Sequence, residues 1–390
     1  MARHLSASAQ GPSRNRGTGG RRSDASASLG RVTRGFRELL PRAAERRRSK
    51  HASRRQRPQT SPREVKPVAI VPVAGSGSRL RPLTHTTPKS LLMVAGKPIL
   101  AHILDQLKPA GLERVILVIA PGPQGERIRR YAASRQDFRI ECVLQEEPLG
   151  LGHAVVQAKL AAGRAPLLII LGDTIVQAVI GDLVRNGSQV GVHEVSDPSR
   201  FGVATVRGGK IVELVEKPER PVSSLALVGL YYISNGPLLF ESLETLVRER
   251  RLTRGELQLT DALQLLLQRG EELRPFPVSG WYDCGKVETL LETNRALLEQ
   301  LATPVSREGV VVIPPVALDP TADVTAAVIG PHVSIGPRAH VRQAVVRNSI
   351  VNEGAIVEDI VLDASVVGEN AVVRGAYQRL NVGSSEVESS

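Results

Sequence analysis

An apolar, β-branched run, Val68–Val73, breaks abruptly into Ala74-Gly75-Ser76-Gly77-Ser78-Arg79. The run reads as a buried strand. Two glycines and two serines build no packed element, but they offer backbone N–H groups that a phosphate can approach closely. Arg79 adds a permanent forked cation suited to phosphate oxygens. Lys89 supplies a second charge further along, with Pro82 and Pro88 stiffening the intervening loop. A strand that ends in a glycine loop with two spaced cations fits a triphosphate cradle, and it also fits an ordinary turn. It is neither the Walker pattern nor the dinucleotide GxGxxG, since no Gly-Lys-Ser/Thr follows and the glycine spacing differs.

Beyond this stretch, short apolar runs alternate with helical ones. Helices are expected at Ala101–Leu107, Pro123–Ala133 and Leu151–Ala162, and strands at Val115–Ile119, Phe138–Leu144 and Leu167–Leu171. That alternation predicts an α/β domain with a mainly parallel, Rossmann-like sheet and ligands at the carboxyl ends of its strands. Val190–Val195, Gly202–Val206, Lys210–Val215 and Leu227–Ile233 crowd together as further strands, which suggests an antiparallel lobe beside that sheet. Helices at Leu238–Arg248, Leu257–Gln268 and Val287–Leu301 close the domain. From Val324 apolar residues recur at six-residue spacing, through Ile329-Gly330-Pro331 and Ile335-Gly336-Pro337, which predicts a parallel β-helix. The expected division is a basic tail over 1–66, a catalytic α/β domain over 67–302 and a left-handed hexapeptide-repeat β-helix over 303–390.

The net charge of +12 is unevenly distributed. Residues 1–66 hold 18 Lys/Arg against 4 Asp/Glu, so the rest of the chain is nearly neutral. The tail has no apolar stretch able to bury a face and is expected to be disordered. It reads as a segment for nucleic acid or acidic surfaces, an organelle transit peptide or an over-extended start, and a dispensable tail is the favoured expectation. No apolar run approaches the length of a membrane span, and Cys142 and Cys284 are too few for a disulfide framework. The expected protein is cytoplasmic, with no membrane partner and no nucleic acid on its folded part; a homo-oligomer stays open.

Two aspartates follow the strands. Asp173 ends the run Leu167–Leu171 as Leu171-Gly172-Asp173-Thr174, where a carboxylate can hold a hard cation or cap a helix. Asp283, in Trp281-Tyr282-Asp283-Cys284-Gly285-Lys286, reads as a second such carboxylate or as a turn residue.

These motifs together resemble the sugar-1-phosphate nucleotidyltransferases, closest to the long-form glucose-1-phosphate thymidylyltransferases with a C-terminal β-helix. The resemblance is carried by Ala74–Thr84, by Pro88-Lys89-Ser90-Leu91-Leu92-Met93-Val94, by Lys97-Pro98-Ile99, and by the two aspartate motifs. Met93 departs from the pattern, which usually has proline there.

The resemblance implies transfer of a nucleoside monophosphate from a triphosphate to a sugar 1-phosphate, with pyrophosphate leaving. It implies Mg²⁺ held by Asp173 and Asp283, and phosphates met by Ala74, Gly75, Ser76, Gly77, Ser78 and Arg79. Arg79, Lys89 and Lys217 would be the catalytic cations, and Gln145 and Gly150 would read a pyrimidine. Gly202, Glu216, Lys217, Leu227 and Gly229 would bind the sugar phosphate. His153, in the first turn of its helix, reads as a helix-surface residue outside the site. The implied substrates are dTTP, or UTP as the alternative, with glucose 1-phosphate. A non-catalytic subunit of the same build, or acyl transfer by His332 or His340 in the β-helix, are the other classes.

Overall fold

A computed structural model describes residues 65–220, 222–301 and 306–376. The expected tail, except its last two residues, lies outside the described residues, as does the chain end beyond residue 376. In chain order the first part runs β1 (Val68–Pro72), β2 (Met93–Val94), β3 (Lys97–Pro98), α1 (Ile99–Leu107), β4 (Arg114–Ile119), α2 (Pro123–Ser134) and β5 (Arg139–Leu144). It continues with α3 (Leu151–Gln157), α4 (Lys159–Ala162), β6 (Leu167–Ile170), β7 (Thr174–Gln177), α5 (Ile180–Leu183) and β8 (Gln189–Glu194). Then come β9 (Gly202–Arg207), β10 (Lys210–Glu216), β11 (Leu225–Ile233), α6 (Gly236–Arg248), α7 (Leu259–Gln268), β12 (Arg274–Pro277), β13 (Gly280–Asp283) and α8 (Val287–Leu298).

β1 is apolar along its length because both of its faces are covered. Ala69, Val71 and Val73 pack into one core with Ile99, Leu100 and Leu104 of α1, while Val68 and Ile70 enter a second core with Phe240 of α6 and Leu263 of α7. β4 divides its residues in the same way, Leu117 to the first core and Ile116 and Val118 to the second. A period of two inside an all-apolar run therefore builds a sheet between two helical layers. β1 pairs in parallel with β4 and β6, and β4 with β5, so these strands end on one edge.

The antiparallel strands are not a lobe beside this sheet. β11 pairs antiparallel with β6, β8, β9 and β10 continue outward, and β12 pairs in parallel with β8, giving one nine-stranded sheet. Closeness in sequence marked these strands as mutual partners, but β11 also reaches back to β6. The expected helix over Leu151–Ala162 is interrupted at Ala158, so α3 and α4 are separate.

Beyond residue 306 three stacks of short parallel strands wind a left-handed β-helix. One stack runs from Val310–Val312 through Ala327–Ile329 and Val345–Arg347 to Val361–Asp363, and the other two follow the same pattern. Ile329, Val333, Ile335, Val341, Val346 and Val357 point inward and are fully buried. Buried amides join this coil to the first part. Asn294 Oδ1 accepts from the Ala95 N–H at 2.9 Å and from Ser334 Oγ at 2.6 Å, and Asn294 Nδ2 donates to the His332 carbonyl oxygen. The Met93 N–H reaches Asn352 Oδ1 at 3.4 Å. A proline at residue 93 would have no N–H to give, so the departure from the family pattern serves this contact.

His102 of α1 fixes that helix to β2, its Nε2 donating to the Val94 carbonyl oxygen at 2.8 Å. Burial holds its ring down to about 4, below its ordinary 6.5. The unfolded chain therefore takes up this proton first. The stability is complete above pH 6.5 and is lost as the pH falls toward 4. His102→Gln should remove this acid sensitivity, on the order of 3 kcal/mol between pH 7 and pH 4. Thermal melts of both proteins at those pH values check it; equal acid losses would contradict it.

Candidate active site

The carboxyl ends of β1, β5 and β6 open on a cavity of about 410 Å³. Ala74, Gly75, Ser76 and Lys89 line one side, Gly172 and Asp173 the floor, and Gln145, Gly150 and Glu256 the other side. Most of the expected nucleotide residues thus meet in one place. Gly77, Ser78 and Arg79 do not line it; Arg79 and Ser78 are exposed where a 3-10 turn, Ser78–Leu80, begins.

Gly77 holds the loop in shape. Its φ is +60°, its carbonyl oxygen accepts from Thr84 Oγ1 at 2.8 Å, and a β-carbon there would come 2.9 Å from Thr84 Cγ2 and 3.3 Å from Lys89 Cβ. The left-handed conformation and the close approach both call for glycine. Lys89, at the start of the 3-10 turn Lys89–Leu91, lays Nζ 2.6 Å from Asp173 Oδ2. The lysine side chain is 11% exposed and the aspartate 39%, so the cation is the more deeply set of the two, and both line the cavity.

Asp173 reaches the edge because Gly172 lets the chain run against β1. The Gly172 N–H donates to the Pro72 carbonyl oxygen, and a β-carbon at residue 172 would lie 2.4 Å from Val73 Cγ1. Asp283 arrives from a strand rather than a turn. β13 pairs antiparallel with β7 and sets Asp283 opposite Thr174, while the Cys284 N–H donates to the Asp173 carbonyl oxygen at 3.0 Å. Burial pushes the Cys284 thiol up to about 12, and both carboxylates add to it. Asp283 itself borders an adjoining hollow with Arg200, Phe201 and Trp281. Among the described residues no group of three or more His, Cys, Asp or Glu forms a metal site. The two aspartates are brought close through the backbone, and carboxylates are the ligand type that suits a small hard dication.

None of the expected sugar residues lines this cavity, but Gly202, Glu216 and Leu227 lie together. Gly202 pairs with Glu216 across β9 and β10, and a β-carbon at 202 would meet Glu216 Oε2, Thr260 Oγ1 and Leu227 Cδ1, each within about 3 Å. Glu216 Oε2 accepts from Thr260 Oγ1 at 2.6 Å. The strand ends at Lys217, whose φ of +44° turns its side chain out of the pleat, with Nζ 3.2 Å from Glu216 Oε1. Gly229, at φ +80° in a bulge of β11, packs against Leu171, which lines the cavity.

One contributing segment was not marked by the sequence motifs. The segment Thr253–Gln258, between α6 and α7, pairs with the loop carrying Gly150. The Leu257 N–H donates to the Leu149 carbonyl oxygen, and the Gly152 N–H to the Leu257 carbonyl oxygen. Glu256 lines the cavity, and Arg254 Nη2 donates to the Lys217 carbonyl oxygen at 2.9 Å. Its polar residues between two helices were the available signal.

The profile of the Nucleotidyl transferase family matches residues 68–300. This chain belongs to that family. It is 39% identical over 236 residues to a low-salt glycan biosynthesis nucleotidyltransferase of Haloferax volcanii, a match over 58% of this chain and 64% of that relative. It is 33% identical over 327 residues to a glucose-1-phosphate thymidylyltransferase of Streptomyces antibioticus, over 80% of this chain and 86% of the relative. A solved UDP-glucose pyrophosphorylase with UDP-glucose bound aligns at TM-score 0.52 and 25% identity, over 60% of this chain and 100% of that one. The resemblance to sugar-1-phosphate nucleotidyltransferases read from the motifs therefore holds at the level of the family.

Within this nucleotidyl transferase the floor tolerates no side chain at residue 172. Gly172→Ala should cost about 1–3 kcal/mol, a melting temperature lower by a few degrees. Gly75→Ala, whose β-carbon meets nothing within 4 Å, should leave it unchanged. Equal melting temperatures in the two variants would contradict this packing.

Proposed function

We propose that the protein joins a pyrimidine nucleoside triphosphate, dTTP before UTP, to glucose 1-phosphate and releases pyrophosphate with Mg²⁺ as cofactor. The single observation that supports this most is the cavity itself. One cation and one carboxylate stand at the end of a glycine-serine loop, with an amide side chain across from them.

In this reading residues 67–302 form the catalytic domain and 303–390 the β-helix. Backbone N–H groups of Ala74–Ser78 and the charges of Lys89 and Arg79 hold the triphosphate, neutralising charge that grows as pyrophosphate departs. Arg79 is exposed on a long side chain, free to lean toward phosphate. Glu216, with Gly202, Leu227 and Gly229, holds the sugar, and Lys217 neutralises its phosphate. Aligning that phosphate oxygen with the α-phosphorus is the main task, because a held nucleophile needs little covalent help. Asp173 and Asp283 would hold the Mg²⁺, which when bound supplies positive charge to the reacting phosphates. Gln145 and Gly150 face the base.

The relative named as a thymidylyltransferase supports dTTP, as does the motif Trp281–Asn294. The stretch Pro148–Ala154 resembles the uridylyl branch and keeps UTP as the second reading. A non-catalytic subunit is disfavoured because Arg79, Lys89, Asp173, Lys217 and Asp283 are all retained. The two cysteines, both free, suit a cytoplasmic enzyme.

Pyrophosphate release over a grid of nucleoside triphosphates and sugar 1-phosphates tests the proposal. Turnover with dTTP or UTP and glucose 1-phosphate, dependent on Mg²⁺, is expected; turnover with ATP or GTP alone would reject it. Asp173→Asn and Asp283→Asn should each lower kcat by on the order of 10²-fold or more. The double change should cost little beyond the worse single one, since ligands of one metal act as a unit. Near-normal kcat in both single variants at saturating Mg²⁺ would end the shared-metal assignment.

A further inference from the structure

His153, in the first turn of α3, has no role in the scheme above. Its Nδ1 lies 3.2 Å from Gln145 Nε2, and its Nε2 lies 3.0 Å from Gln157 Nε2, one turn along the helix. The partners decide which ring nitrogen carries the proton. Gln145 Nε2 also donates to the Gly150 carbonyl oxygen at 3.2 Å. A carbonyl oxygen can only accept, so the group facing it is the NH₂, and that fixes which way round the Gln145 amide sits. The second hydrogen of this NH₂ points to His153 Nδ1, which must then carry a lone pair. The ring proton is therefore on Nε2, and this requires the Gln157 amide, whose nitrogen is placed toward the ring, to be turned over so that its oxygen accepts. Gln145 is left with one unused group, its Oε1. Among the described residues that oxygen has no hydrogen-bond partner and, unlike Ser90 Oγ and Trp281 Nε1, it is not sealed from solvent. Gln145 lines the cavity, so the free acceptor opens there.

We propose that His153, as the Nε2–H tautomer, is a positioning residue that locks the Gln145 amide with its oxygen toward the cavity. The site then selects a nucleobase that offers a ring N–H. Thymine and uracil carry N3–H on the pairing edge and satisfy that oxygen. Cytosine places a bare N3 acceptor at the same ring position, leaving two lone pairs face to face. Without His153 only the Gly150 carbonyl would hold the NH₂, and the amide could turn. The inference rests on the assignment of Gln145 to the base.

Initial-rate kinetics with dTTP, UTP and CTP on the full chain test it, using His153→Leu, His153→Gln and Gln145→Leu. Nitrogen-15 NMR of the wild-type histidine ring gives a readout independent of turnover. His153→Leu should raise KM for dTTP and UTP roughly tenfold, the equivalent of one hydrogen bond, and narrow the preference over CTP. Its kcat should stay within about threefold of wild type, because the group acts on binding of the base. His153→Gln, which can offer an amide oxygen to Gln145, should recover most of both losses. A merely structural residue would lower the melting temperature without moving the base preference. A ring proton found on Nδ1 overturns the proposal. So does a wild-type KM and preference in His153→Leu while Gln145→Leu raises KM. If Gln145→Leu also leaves KM unmoved, the assignment of Gln145 to the base fails, and the proposal with it.

Discussion

The ion pair between Lys89 and Asp173 joins the two loops on which the site is built. One loop follows β1 and the other follows β6, and these strands lie side by side in the sheet. Each loop needs a glycine to come this close. Gly77 lets the β1 loop fold back onto Thr84 and Lys89, and Gly172 lets the β6 loop lie against Pro72 and Val73. The pair is thus a consequence of backbone approach, which the parallel sheet and its buried apolar strands make rigid. Function needs that rigidity, since a phosphate site loses its advantage when the charged groups must first be ordered.

The β-helix extends the same framework. Asn294 and Asn352 carry buried hydrogen bonds from β2 and the loop after it into the coil. On the far side Glu369 accepts from Thr87 Oγ1 at 2.7 Å and from Arg127 Nη2 at 2.6 Å, while Arg127 Nη1 donates to the Thr86 carbonyl oxygen. Thr87 stands two residues before Lys89. The coil therefore grips both ends of the segment that carries the lysine, which gives the appended repeat a part in shaping the site. A fully paired polar interface of this kind fixes one arrangement, whereas an unpaired member would be costly.

Much of this was legible from residue patterns. Val68–Val73 could be read as a buried strand because both its faces are apolar, and the hexapeptide spacing from Val324 revealed the coil. The Gly-Ser loop, Lys89, Gln145, Gly150 and Asp173 do meet in one cavity. What escaped was non-local. Asp283 was singled out together with Asp173, but the strand that carries it was not, because its partner, β7, is far away in sequence and too short to stand out. β11 was grouped with its neighbours, although its pairing with β6 makes the sheet continuous. Thr253–Gln258 carried no motif, and its role appears only where it pairs with the Gly150 loop. His153 showed helical spacing to Gln157 but not its contact across the turn to Gln145.

The central claim is that Lys89, held by Asp173 at the end of β1, is the buried cation of a nucleoside triphosphate site. Calorimetric titration of dTTP and UTP into wild-type protein and into Lys89→Met tests it most directly. Asp173 keeps its contact with solvent when the lysine is gone, so the fold should survive with a nearly unchanged melting temperature. Affinity for the triphosphate should fall at least tenfold, the loss of one charge-assisted phosphate contact. An affinity within twofold of wild type in a well-folded Lys89→Met protein would contradict the account.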